Sequence, residues 1–226
     1  MSPTRVALFA FALSVAACGE GSGTFGVGGS GNTAKVRLVN ATTISLDLLA
    51  NNAVVSGPGG VASLASSTCL NVDLNLVTLA IRQTGTTTTL SGFSPTFAAG
   101  GSYTIVAYPT GNGSVQFATL PSSFTTGSGQ AGLRVFDAAP TTATFDLYVT
   151  APGAPLVTPD ATNLGLGTGT SFLNVSASSD QIRFTDFGTA VVVFDAGNHT
   201  FSAGQSQVFV LAAPNGTLTS ILVPVC

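Results

Sequence analysis

Residues 133–149, LRVFDAAPTTATFDLYV, decide how this chain is read. Two short runs, each alternating apolar with other residues, stand on either side of a small polar turn. Alternation with a period of two is the signature of half-buried strands. The same construction occurs earlier, at residues 36–49, VRLVNATTISLDLL, where Arg37 matches Arg134 and Asp47 matches Asp146. A stretch that recurs with its charges in place predicts two copies of one β domain.

Working outward, the echo continues. Ile81-Arg82 returns as Ile182-Arg183, and Phe97-Ala98-Ala99-Gly100 returns as Phe201-Ser202-Ala203-Gly204. Each of the latter precedes a strand-like run, at 103–107 and 208–211. Gly113 before 115–117 corresponds to Gly216 before 218–223. The offset grows from 97 at Arg37/Arg134 to 104 at Phe97/Phe201, as loop insertions in a duplicated domain produce. Excluding Arg5, four of the five basic residues fall on repeat-equivalent positions, which makes chance alignment a poor explanation. The period is far longer than that of a solenoid.

Composition agrees. Of 226 residues, 45% are hydrophobic and only 7% are charged, and 27 glycines and 11 prolines supply turns. No apolar spacing of three and four persists over helical length. The fold class expected is all-β, as two tandem immunoglobulin-like (Greek-key) β-sandwich domains at 35–121 and 132–226. Each has roughly 90 residues and about seven strands. A transmembrane barrel is set aside, because its strands run to about 10 residues and these are shorter. The formal net charge of −3 supplies no basic surface for nucleic acid.

The first 34 residues differ from the rest. Arg5 precedes an apolar run at 6–16 that is too short to span a bilayer. The run ends in Val15-Ala16-Ala17-Cys18, which resembles a bacterial lipoprotein signal. That resemblance implies a signal peptide over 1–17, cleavage before Cys18 and acylation of Cys18. Gly19 after the cysteine implies an outer-membrane or cell-surface destination. Residues 18–34 then form a Gly/Ser-rich tether, roughly 20–24 Å end to end as a coil. Within it, Gly21-Ser22-Gly23-Thr24-Phe25-Gly26 fits a dinucleotide fingerprint. No strand precedes it and no helix pattern follows, so it is read as chance.

The repeated motif itself carries a family resemblance. Arg37-Leu38-Val39-Asn40-Ala41 with Asp47, and Arg134-Val135-Phe136-Asp137-Ala138 with Pro140 and Asp146, resemble domain of unknown function 4397. An Ala-Gly pair before a strand completes the pattern in each half. The first copy lacks the proline. The resemblance implies an exported bacterial protein, often with duplicated copies, and it brings no established activity and no catalytic residue.

Several groups of residues could carry chemistry. Arg37 with Asp47, and Arg134 with Asp146, are expected to form structural ion pairs across a hairpin, each worth about 0.2–1 kcal/mol if exposed. A carboxylate-binding site using these arginines is the sharper alternative. With Cys18 consumed by lipid, Cys69 and Cys226 are expected to form a disulfide in an oxidising compartment, spanning both domains. His199 is the sole histidine and reads as a surface residue in a turn at 197–200. Asp180 and Asp186 read as solvated acids on neighbouring turns, without a calcium-loop spacing. No metal site and no cofactor are expected, and no nucleophile elbow occurs. Asn40, Asn112, Asn174, Asn198 and Asn215 each begin N-x-S/T and are attributed to composition.

The expectation is a non-enzymatic envelope lipoprotein, a structural, adhesive or protein- or glycan-binding module held to the membrane by its lipid. A carbohydrate-binding or accessory subunit of an envelope enzyme is the alternative. It would use exposed faces of Tyr103, Tyr108 or Tyr148, and the absence of tryptophan counts against it. A secreted hydrolase would need acids converging near His199.

Overall fold

The computed structural model describes residues 32–75 and 78–226. The expected signal peptide, Cys18 and the expected tether up to residue 31 lie outside the described residues. Among the described residues the secondary structure is entirely β, as the low charge and the wealth of Thr, Val and Gly predict.

The first unit contains β1 (Thr33–Asn40), β2 (Leu46–Ala50), β3 (Ala53–Val54), β4 (Ala65–Ser66), β5 (Leu70–Asp73), β6 (Leu79–Gln83), β7 (Thr89–Phe93), β8 (Ser102–Pro109) and β9 (Val115–Pro121). One sheet runs β4-β1-β8-β9, with β5 also on β1; the other runs β3-β2-β6-β7. The second unit contains β10 (Gln130–Asp137), β11 (Phe145–Thr150), β12 (Ala161–Leu164), β13 (Leu173–Ser176), β14 (Ser179–Asp186), β15 (Val192–Thr200), β16 (Ser206–Ala212) and β17 (Thr219–Pro224). Its sheets run β13-β10-β16-β17 and β12-β11-β14-β15. The two units are thus tandem β-sandwiches with one strand order. A short bridge from Phe136 to Gly169 stands where β4 pairs with β1 in the first unit.

The repeated stretch is not a hairpin. β1 pairs in parallel with β8, Arg37 opposite Thr104, while β2 lies in the facing sheet beside β6. Likewise β10 pairs in parallel with β16, while β11 lies in the facing sheet, antiparallel to β14. The turn at 41–45 therefore carries the chain across the end of the sandwich. The reason is burial. Val36 and Leu38 meet Leu46 and Leu48 face to face across the core, where all four are fully removed from water. A hairpin would set them side by side and leave that face to be covered by something else.

Each unit has its own core, and a third lies between them. Val39, Ala41, Val106, Tyr108 and Leu120 from the first unit pack against Phe136, Ala138, Val208, Val210 and Ala212 from the second. Tyr108 meets Phe136 edge-on at 5.5 Å between ring centroids. The sheets containing β1 and β10 are therefore inner sheets, covered on both faces, and the molecule is a stack of four layers. Sequence records this in two unbroken buried runs, Thr104-Ile105-Val106-Ala107-Tyr108 and Val208-Phe209-Val210-Leu211-Ala212. Continuous apolar runs, rather than alternation, mark strands buried on both sides.

Cys69, before β5, is bonded to Cys226, after β17, with Cα atoms 5.7 Å apart. The bridge joins the two inner sheets at one end of the seam, as the pairing of the two cysteines predicted. Closing a loop of 157 residues is worth about 5 kcal/mol on the chain-entropy account.

Candidate functional site

The site is built on the exposed edge of the first sandwich. There the two sheets part and leave a cleft of about 610 Å³. Val54, Val55 and the turn Gly57-Pro58-Gly59 form one wall; Cys69, Leu70 and Asn71 form the other, with Asp47 and Thr84 also lining it. β3 is only two residues long because the glycines take over after it. Gly57, Gly59 and Gly60 have φ between +66° and +88°, a region that disfavours side chains. A side chain on Gly60 would also collide with the Thr84 hydroxyl and the Asp47 carboxylate.

Asp47 is 4% exposed and fully partnered. Arg82 donates to its Oδ2 through Nη2 at 2.9 Å and Nε at 3.2 Å, and Thr84 Oγ1 donates to Oδ1 at 2.9 Å. The partner is Arg82, directly opposite on β6, and not Arg37 as expected. Arg37 and Asp47 sit on opposite sides of the sandwich. Arg37 shares the seam-facing side of β1 with Val39, while Asp47 points outward from the other sheet. Arg37 Nη2 instead donates to Cys69 Sγ at 3.2 Å, and burial lowers its pKa from the ordinary arginine value.

The second expected pair is overturned for the same reason. Arg134 donates to the carbonyls of Thr170 (2.9 Å) and Pro121 (2.6 Å) and lies 5.5 Å from the ring centroid of Phe172. Asp146 accepts from the backbone N–H groups of Asn163 and Gly188 at 3.0 and 2.9 Å. The Ile-Arg echo is also displaced. Arg82 opposes Asp47, but Arg183 opposes Tyr148, and Thr185 stands across from Asp146. Arg183 Nη2 donates to Thr150 Oγ1 and the Ala154 carbonyl, each at 2.6 Å.

The other candidates do not converge. His199 lies within β15 rather than in a turn, half-buried and edge-on to Phe209 at 6.0 Å. Asp180 is its cross-strand neighbour, but the Asp180 carboxylate takes Ser178 Oγ at 3.3 Å, and His199 Nε2 is buried without a partner. Asp180 and Asp186 sit near opposite ends of β14, about 20 Å apart, not on neighbouring turns. Tyr108 and Tyr148 are buried; Tyr103 stacks on Phe97 and accepts from Ala98 N–H through its hydroxyl. No tyrosine thus offers a free sugar platform. Among the described residues, no three His, Cys, Asp or Glu side chains gather where they could hold a metal.

The family profile described as "Domain of unknown function (DUF4397)" matches residues 34–148, the whole first unit and the first two strands of the second. The chain belongs to the DUF4397 family. No curated protein matches it significantly. Among solved structures, the C-terminal domain of AlgF from P. aeruginosa is similar over 42% of this chain and 98% of its own, at 15% identity and TM-score 0.31. A CBM26 module of Amy13K from Eubacterium rectale, solved with maltoheptaose, is similar over 83% of this chain and 95% of its own, at 12% identity and TM-score 0.26. At those scores neither likeness bears on what this DUF4397 protein binds.

Sequence reasoning missed the cleft. Its one available signal was Gly57-Pro58-Gly59-Gly60, a turn-forming run that says nothing of what it leaves uncovered. In the fold, those glycines keep one sheet edge short and bare.

Proposed function

We propose that this DUF4397 protein is a non-enzymatic envelope module, lipid-anchored through Cys18 at the outer membrane or cell surface. It would present the edge cleft of its first unit to a protein or glycan partner. The observation that carries the reading is the combination of one cleft-bearing edge with a stack held rigid by a buried seam and a cross-unit disulfide. Such a body keeps the cleft in a fixed relation to the second unit, at the end of its tether. The second unit is read as a further copy of the same domain that supplies the stiff backing. The anchor rests on residues 1–34, namely the short apolar run, the small residues before Cys18 and the Gly/Ser stretch after it.

The cleft walls are mainly apolar, with Asn71 as an exposed amide and Asp47 neutralised by Arg82. That lining suits an uncharged segment better than a strongly charged one. The test is capture of envelope proteins and glycans by the full chain in its native membrane, compared with Asn71→Trp. Asn71 is exposed, so tryptophan there obstructs the cleft without entering the core. Loss of a captured partner on Asn71→Trp is expected; equal capture by both chains sinks the cleft as the contact. Intact mass of the native protein checks the anchor, which requires the loss of 1–17 and the gain of acyl chains.

A further inference from the structure

We propose that the Cys69–Cys226 bridge is a thiol-responsive latch between the two units, with Cys69 as its reactive sulfur and Arg37 as the residue that activates it.

Three observations point there. First, the cysteines are unequal: Cys69 is exposed beside the open cleft, whereas Cys226 is half-buried at the seam. Second, Arg37 Nη2 lies 3.2 Å from Cys69 Sγ, and Asp47–Arg82 is the sole ion pair among the described residues. The Arg37 charge is thus uncompensated by a carboxylate, and its Nε is buried without a partner. Asp47, the one acid lining the same cleft, is already held by Arg82. Third, the repeat-equivalent arginine does something else. Arg134 gives its donors to two backbone carbonyls and lies over an aromatic ring. The fold thus offers an alternative use for this arginine, and only in the first unit does it meet a sulfur.

A guanidinium beside a cysteine stabilises the thiolate and lowers its pKa from the usual value of about 8.5. In the first step access decides: Cys69 is the exposed sulfur and the guanidinium draws the anionic nucleophile to it, while thiolate stabilisation acts in the second step, where Cys69 is the leaving group. The step balances as follows. An external thiolate attacks Cys69 Sγ, the Cys69–Cys226 bond breaks, and Cys226 leaves as a thiolate that takes up a proton. A dithiol then resolves the mixed disulfide with its second thiol. It becomes a disulfide and releases Cys69 as a thiolate facing Arg37. Two electrons pass from the dithiol to the bridge. Opening removes the only covalent tie between the units apart from the chain itself and leaves the seam core to hold them. It also frees the wall of the cleft that carries Cys69.

The experiment treats the full folded chain with glutathione, a monothiol that stops at the mixed disulfide, and maps the adduct by peptide mass. The adduct is expected on Cys69. Arg37→Met is expected to slow the release of Cys69 from that adduct by a dithiol about threefold, one pKa unit at a Brønsted slope of roughly 0.5, while Arg37→Lys retains much of the rate. After full reduction, alkylation of Cys69 should follow a titration at least one unit below that of Cys226. An adduct on Cys226, no opening without denaturant, or equal titration of the two thiols in the native chain would overturn the proposal. Those three readouts need no variant, so they stand even if Arg37→Met fails to fold.

Discussion

Asn40 and Asp137 occupy the same place in the two units, at the end of the first inner strand, and both are fully buried. Their surroundings differ. Asn40 Nδ2 donates to the carbonyls of Ile44, Val61 and Ala62, and its Oδ1 accepts from the N–H and hydroxyl of Thr42. One amide thereby closes the crossing turn of the first unit. Asp137 accepts at Oδ1 from Ala139 N–H at 2.8 Å, and its Oδ2 has no partner. Burial pushes its pKa up to about 7, although the Ala139 bond pulls the other way. One atom of difference turns a satisfied hub into a strained acid. A carboxylate cannot donate, so the buried site tolerates it best when protonated.

The largest effect is expected from imposing the second unit's chemistry on the first. Asn40→Asp removes the two N–H donors that serve three carbonyls and sets a carboxylate against those carbonyls. It should cost roughly 3–5 kcal/mol, as a stranded buried charge does, measured by chemical denaturation at pH 8. The reverse change, Asp137→Asn, should stabilise. The folded-state pKa of Asp137 is raised, so its contribution to stability is full below about pH 4. It is lost as pH rises through about 7 and is flat beyond. The total is at most about 4 kcal/mol for a shift of this size. Denaturation midpoints of wild type and Asp137→Asn should therefore agree near pH 4 and separate toward pH 8. A constant gap across that range would show that Asp137 does not titrate there.

A smaller difference is expected between the two matched arginines on the outer sheets. Arg82→Met strands the buried Asp47 carboxylate, whose remaining side-chain partner is Thr84, and should cost about 2–3 kcal/mol. Arg183→Met removes donors from a hydroxyl and a carbonyl and should cost about 1 kcal/mol. Equal losses would mean that Asp47 finds other donors when Arg82 is gone.

Much of the architecture was legible from residues. The period-two runs, the recurring Arg and Asp, and the turn glycines were enough for tandem β-sandwiches, and the cysteine count was enough for the bridge. The partners of the charges were not legible. Arg37 and Asp47 looked like neighbours because ten residues and a turn separate them. In fact the turn crosses between sheets, and the carboxylate found an arginine 35 residues away. The Ile-Arg echo misled in a subtler way. Arg82 and Arg183 match as letters, but they differ by two positions against the strand they face, which keeps each on the same side of its sheet and changes its neighbour. The seam left a readable trace in the unbroken runs at 104–108 and 208–212, which exceed what one core requires.

By itself, the sequence determined the all-β class and the tandem β-sandwich organisation, because alternation is local and burial enforces it. Tertiary structure alone decided which strand lies beside which. It made Arg82 the partner of Asp47, placed Arg37 at a sulfur, stacked the units through a third core and left one sheet edge open as a cleft. Those outcomes depend on pairings across tens of residues, where many strands present equivalent backbone edges. Only simultaneous packing of all four layers selects among them.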